Sequence, residues 1–272
     1  MNYILAIIAG LIQGVAEFLP ISSSGHLVLL HDILKFNLPD NLTFDIVLHL
    51  GTFLSLLVFF WRDIIHLVKG FFSSLVKRNL SGDADQRLAW LIIIGTIPAA
   101  LAGYFFNDFI EQAFHEGKLA TLVVAVMLII VAVLFWLLEK YAQRLRTADS
   151  LKWWEALIIG AAQAIALIPG TSRSGITICA GLMLKLTREQ AAKFSFLLSM
   201  PVILGAGIKS LGQIESVTAA DWPLLVIGFI TAALSGYFAI KFLLKYLINH
   251  SLSVFAWYRV VLACLILLWL AF

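Results

Sequence analysis

Two short stretches place chemistry-bearing side chains inside sequence that is otherwise apolar: Glu17-Phe-Leu-Pro-Ile-Ser-Ser-Ser-Gly-His26 and Pro169-Gly-Thr-Ser-Arg-Ser-Gly-Ile-Thr177. Hydroxyls, glycine and ionisable groups are costly at bilayer depth, so such a combination marks a functional centre by default. Arg173 requires an anionic partner there, either a protein carboxylate such as Glu17 or a ligand phosphate, and its planar fork suits both. Ser23 and His26, three residues apart, share one face of a short helix. A histidine beside a hydroxyl and a phosphate can move protons near neutral pH. Gln13 and Glu17, four apart, also share a face; both can orient a base or give oxygens to a hard divalent cation such as Mg2+ or Ca2+. The set predicts phosphoryl chemistry, with Ser23, His26 and Glu17 as the catalytic group and Arg173 as the phosphate clamp. Ser23, His26 and water all stand as nucleophile, and His26 and Glu17 both stand as base.

Each stretch is also a place where a helix can restart. A half-helix beginning inside the membrane carries unpaired N–H groups and a partial positive charge, which favour an anion. Ser22, Ser24 and Gly25 in the first stretch, and Ser172, Ser174 and Gly175 in the second, sit at such a start. Their hydroxyls either cap the helix or bind ligand oxygens, and their glycines admit either a ligand or a neighbouring helix. Thr177, four residues after Arg173, either reaches the same ligand or bonds back to its own helix. Asp45 and His49, also four apart, either border the site or are solvated at the interface.

The elements that position these residues follow from hydropathy. The chain has 272 residues, of which 61% are hydrophobic and 13% charged. Its mean hydropathy of +0.97 identifies an all-α polytopic membrane protein. Runs of about 20 apolar residues predict spans at 44–61, 88–106, 119–138, 194–211, 223–242 and 255–272. Segments 2–34 and 153–184 are apolar but interrupted by Pro20 and by Pro169-Gly170, the pattern of re-entrant helical hairpins. The N-terminal run lacks a basic region and is interrupted by Gln13 and Glu17, so it is expected to stay in the mature protein. A net charge of +3 without a basic patch argues against nucleic-acid binding. Cys179 and Cys264 lie in apolar surroundings without metal-ligand spacing and are expected to be buried free thiols.

Loop charges set the expected orientation. Basic residues in 62–87 (Arg62, Lys69, Lys77, Arg78, Arg87) and in 139–152 (Lys140, Arg144, Arg146, Lys152) place those segments in the cytoplasm. The segments 107–118 and 212–222, with Asp108, Glu111, Glu116, Glu215 and Asp221, are then outside. On this alternation the two broken segments enter from opposite faces, which predicts an inverted repeat. The sequence contains one. At an offset of 150, Gly10, Gln13, Ser22, Ser24, Gly25 and Phe44 meet Gly160, Gln163, Ser172, Ser174, Gly175 and Phe194. Ile94–Phe105 further matches Ile227–Phe238 at nine of twelve positions. The expected organisation is a first repeat over 1–138, a cytoplasmic linker over 139–152 and a second repeat over 153–272, with the two breaks meeting near the midplane.

These residues resemble the bacterial undecaprenyl-pyrophosphate phosphatases of the bacitracin-resistance type. The Glu/Gln-x-x-x-Glu pair is matched by Gln13 and Glu17, the Pro-x-Ser-Ser-x-Gly-His segment by Pro20 to His26, and Pro-Gly-x-Ser-Arg-Ser-x-x-Thr by Pro169 to Thr177. The first motif takes its Gln variant, which makes position 13 the weaker candidate for a metal or proton role. The resemblance implies hydrolysis of a polyprenyl pyrophosphate to the monophosphate, in the bacterial cytoplasmic membrane, at a site open to the periplasm or exterior. It also implies Glu17, Ser23, His26, Ser172, Arg173 and Thr177 as site residues. Membrane lipids are the surrounding partners, and a homodimer is allowed. A lipid flippase or secondary transporter is the alternative, because inverted repeats with broken helices also suit alternating access. An acid-phosphatase-like lipid phosphatase is set aside, since its Lys/Arg-Pro and His-x-x-x-Asp elements do not occur.

Overall fold

The computed structural model describes residues 2–28, 30, 41–77, 83–114, 117–211 and 221–271. Eleven α-helices are found among them. The first half holds α1 (Asn2–Phe18), α2 (Ser23–Val28), α3 (Asn41–Phe59), α4 (Trp61–Lys77), α5 (Ala84–Phe114) and α6 (Gly117–Tyr141). The second holds α7 (Trp153–Ile165), α8 (Arg173–Met183), α9 (Arg188–Leu211), α10 (Trp222–Asn249) and α11 (Ser253–Ala271). Among the described residues, α5, α6, α9, α10 and α11 are long and apolar enough to cross a membrane, and α3 with α4 forms a bent pair that passes the same criterion.

The two breaks fall where proline and glycine interrupt the apolar pattern. Leu19 precedes Pro20, a position that disfavours the α conformation, and α1 stops at Phe18. Ser22 then takes a left-handed φ of 76° before α2 begins. In the second half the same sequence of events ends at Ser172, with φ 69°. Ser172 caps α8 by accepting from Gly175 N at 3.2 Å, and Ser22 accepts from Gly25 N at 3.3 Å. Positions 150 apart thus share backbone conformation and hydrogen bonding. Gly170 has φ 86°, and a Cβ there would lie 2.5 Å from Val124 O on α6, so both conformation and space call for glycine.

Small residues seat the short helices. Gly10 and Gly14 press α1 against Gly228, Ala232, Ser235 and Gly236 of α10, while Gly160 presses α7 against Gly95 of α5. Where no lipid-driven hydrophobic force separates helix from helix, such close approach supplies the packing. The repeat partners therefore cross over: α1 packs on α10, and α7 packs on α5.

At the end carrying the linker, Glu139 accepts from both Arg188 and Arg144 and from Leu252 N, tying α6, α9 and α11 together. Arg146 meets Glu155 with two N–H groups at 2.7 and 2.9 Å. The hydrogen bonds from Arg146 hold the Glu155 carboxyl below its ordinary range, outweighing the opposing effect of its burial.

Three expectations need correction. Segment 62–87 is not a plain loop: it contains α4, strongly amphipathic and bent 76° from α3, because its charges alternate with an apolar face. The loop expected over 107–118 is shorter, since α5 runs on to Phe114. Cys179 is buried, but Cys264 is exposed on the outer side of α11. Residues 29 and 31–34 of the first broken segment, Arg78 of the expected cytoplasmic charge set, Glu116 of the expected outer loop, and most of the segment 212–222 lie outside the described residues.

Candidate active site

Glu17, in the last turn of α1, is the hub. One oxygen, Oε1, accepts from Arg173 Nη2 of α8 at 2.5 Å. The other, Oε2, accepts from Ser23 Oγ at 2.8 Å and from Gln13 Nε2 at 3.1 Å, and lies 3.8 Å from His49 Nε2 on α3. Glu17 itself is only 9% exposed. The break lets a residue on α1 and one on the restarted α2 meet across six positions, which a continuous helix would set about 120° apart and roughly 9 Å along its axis.

The remaining serines brace the two breaks against one another. Ser24 Oγ accepts from Gly170 N at 3.0 Å, and Ser174 Oγ donates to Leu19 O at 3.4 Å. Each half thus holds the other's break with the equivalent residue. Ser22 and Ser172 point their hydroxyls at Ser24 and Ser174, at 3.1 and 3.2 Å. Gly25 packs near Val124 and Leu128 of α6. Thr177 donates to Arg173 O at 2.7 Å and lies 2.6 Å from Ser195 Oγ of α9, so its hydroxyl is engaged within the helix bundle. His26 does not bond to Ser23: Nδ1 meets Ser22 O at 2.7 Å and Nε2 meets Tyr258 OH at 2.6 Å, with the two rings stacked. Ser23, Ser24, Arg173 and His49 are partly exposed and Tyr258 is exposed, so the cluster has an accessible side.

Arg259 of α11 is absent from the sequence reading and is central to the structure. Its fully buried guanidinium donates to Pro20 O at 3.3 Å, Gly170 O at 3.0 Å and Thr171 O at 3.1 Å, and also to Met127 O and Leu128 O of α6. The backbone freed by the two breaks would otherwise leave carbonyls unpaired in an apolar interior. A cation inside the span at 255–272 was the available signal, and its neighbour Tyr258 gives none of its own.

Gln13 Oε1 is buried without a hydrogen-bond partner among the described residues. Together with Glu17 it offers oxygen to a hard cation. No group of three or more His, Cys, Asp or Glu side chains with metal-binding geometry occurs among the described residues.

A hydroxyl bonded to a carboxylate, beside a guanidinium and the start of a helix, sits here within a polytopic membrane protein, and those groups together suit an anionic ligand. Residues 6–265 match the family described as bacitracin resistance protein BacA, and the chain belongs to that family. Similar proteins include an undecaprenyl-diphosphatase of Thermomicrobium roseum, 42% identical with 100% of this chain and 99% of the relative covered. An undecaprenyl-diphosphatase of Methanosphaera stadtmanae is 42% identical, with 95% and 94% covered. The undecaprenyl-diphosphatase 2 of Stutzerimonas stutzeri is 41% identical, with 98% of each chain covered.

Proposed function

We infer that the chain is an undecaprenyl-diphosphate phosphatase of the bacterial cytoplasmic membrane. It hydrolyses undecaprenyl pyrophosphate to undecaprenyl phosphate and inorganic phosphate, which returns the lipid carrier to cell-wall synthesis and counters bacitracin. The observation that carries the chemistry is the 2.8 Å hydrogen bond from Ser23 Oγ to Glu17 Oε2, with Arg173 on the other carboxylate oxygen.

In this mechanism the terminal phosphoryl group enters on the open side, held by Arg173 and the first amides of α8. Ser23 Oγ attacks phosphorus while Glu17 takes its proton. The bridging P–O bond breaks, and Glu17 passes that proton to the departing undecaprenyl phosphate, which restores the carboxylate. Water then attacks the phosphoserine as Glu17 takes its proton, the Ser23 Oγ–P bond breaks, and the proton returns to Ser23 Oγ as inorganic phosphate is released. The geometry favours Glu17 over His26 as base, since both ring nitrogens of His26 are engaged elsewhere. His26 fixes the start of α2, and Ser22, Ser24, Ser172 and Ser174 hold the breaks. A divalent cation, Mg2+ or Ca2+, fits as a group shared with the pyrophosphate. Gln13 and Glu17 would hold it, supported by the free Gln13 oxygen, and it would neutralise phosphate charge when bound.

Two halves of opposite orientation account for the crossed pairing of α1 with α10 and α7 with α5, and a cytoplasmic basic linker supports a site that opens to the periplasm. Transport alone does not call for a serine bonded to a carboxylate, which favours hydrolysis over flipping.

The test is phosphate release from farnesyl pyrophosphate by the detergent-purified protein, with and without chelator. Arg173→Ala should lose at least about 100-fold in turnover, as for a removed transition-state donor, while keeping its helical circular dichroism. Near-normal turnover in that variant overturns the assignment, and activity that survives chelation removes the cation from it.

A further inference from the structure

A second feature lies far from the breaks, at the mouth between α5 and α7. A cavity of about 480 Å³ opens there, with walls that are mostly carbon; Trp90 and Ile94 of α5 line one side, and Trp153 and Trp154 of α7 the other. Two cations, Arg87 and Lys152, complete the lining. Arg87 is half-buried, and its guanidinium donates to Leu151 O at 2.8 Å. Among the described residues it forms no ion pair. The neighbouring carboxylates are engaged: Asp83 accepts from Gln86 N, Asp85 faces His66, and Glu155 faces Arg146. Lys152 is exposed at the rim, and Trp153 and Trp154 are exposed on the membrane-facing surface.

Tryptophans at the end of membrane helices sit at headgroup depth, and the basic segments around this mouth mark it as the cytoplasmic side. A carbon-walled slot with an uncompensated guanidinium and an ammonium at its rim is complementary to one occupant, a lipid with a negatively charged headgroup. A zwitterionic lipid would bring its own cation to the same rim. Inorganic phosphate would leave the carbon walls in water. The thirteen residues of α7 separate the mouth from the second break by roughly 20 Å, so the slot is not part of the reaction site.

We propose that this mouth is a binding site for an anionic phospholipid, with its phosphate on Arg87 and Lys152 and its upper acyl chain between Trp90 and Trp154. The lipid seats on the helix pair joined by Gly95 and Gly160, and so supports the helix that carries the second break. The proposal does not depend on the reaction assigned above.

The experiment is native mass spectrometry of the detergent-purified full chain with phosphatidylglycerol or phosphatidylcholine added. Wild type should hold its first phosphatidylglycerol under conditions that strip phosphatidylcholine. The double variant Arg87→Gln, Lys152→Gln should bind phosphatidylglycerol roughly 30-fold more weakly, at about a factor of five per charge, and lose the preference. Its turnover of farnesyl pyrophosphate in detergent should stay at the wild-type level. Because Arg87 also bonds Leu151 O, Lys152→Gln alone is measured as well; its side chain is at the surface, and it should lose several-fold in preference. Equal retention of the two lipids by wild type overturns the proposal. An unchanged preference in Lys152→Gln and in the double variant overturns it too.

Discussion

Replacing Glu17 with Gln separates proton transfer from shape. The amide is nearly isosteric, and its oxygen can still accept from Arg173 Nη2, so the contact across the two halves persists with a weaker, neutral acceptor. What disappears is the ability to take the Ser23 proton across the 2.8 Å bond. Loss of a positioned base costs about 10²- to 10⁴-fold, or roughly 3–5 kcal/mol of barrier, and this loss should appear in kcat. KM should move the other way or not at all. In the resting site Arg173 is paired with Glu17, and an incoming phosphate must compete with that carboxylate for the guanidinium. Removing one negative charge beside an arriving anion makes the competition easier. The assay is steady-state phosphate release from farnesyl pyrophosphate in detergent, with kcat and KM resolved for wild type and Glu17→Gln. A kcat within about fivefold of wild type would falsify the base assignment, being far short of the loss a positioned base accounts for. A fall in kcat matched by an equal rise in KM would show instead that Glu17 only maintains the architecture.

Ser23→Ala should abolish covalent labelling by substrate carrying labelled terminal phosphate, whereas wild type quenched in acid should carry label on Ser23; label on His26 with Ser23 unmodified would sink the serine assignment. Arg259→Met should lower stability by roughly 2–3 kcal/mol, since Pro20 O, Gly170 O and Thr171 O lose their donor at about 1 kcal/mol each or somewhat less in a membrane. A melting temperature equal to wild type in the same detergent would refute the clamp. Glu155 is held below its ordinary value in the fold, so its contribution to stability is present above the unfolded carboxyl value of about 4.3 and is lost as pH falls through the lower folded value. Between about pH 5 and pH 3 the melting temperature of Glu155→Gln should therefore decline less than that of wild type, and parallel declines would rule the pair out as a source of acid sensitivity.

The breaks and the helix restarts were legible because proline, glycine and serine interrupt apolar runs for local steric reasons that need no tertiary information. The meeting of Glu17 with Arg173 was legible as one of two partners for a buried guanidinium. What each hydroxyl does was not. In the sequence Ser24 and Ser174 read equally as caps or as ligand groups, and neither reading names the partners found, which are backbone atoms of the opposite break about 150 residues away. Ser23 and His26 share a helix face at three-residue spacing, but Tyr258 draws the imidazole away, and nothing local to residue 26 announces a phenol 232 positions later. The helix α4 escaped notice because a window tuned to spans averages its apolar face with Arg62, Asp63 and Lys69. Arg259 was visible as a charge inside a span and still had no assigned partner, because backbone carbonyls leave no mark in a sequence.

The crossed pairing of the short helices also has a consequence for how the protein is made. The glycine face of α1 is covered by α10, which begins about two hundred residues later. At a synthesis rate of roughly 5–20 residues per second, α1 waits on the order of 10–40 seconds for its packing partner. Glu17 waits nearly as long for Arg173, and both breaks wait for Arg259 near the end of the chain. Through that interval the polar first break must be sheltered by the insertion machinery or held at the membrane surface. The last of the described helices, α11, is the one whose Arg259 holds the two breaks together.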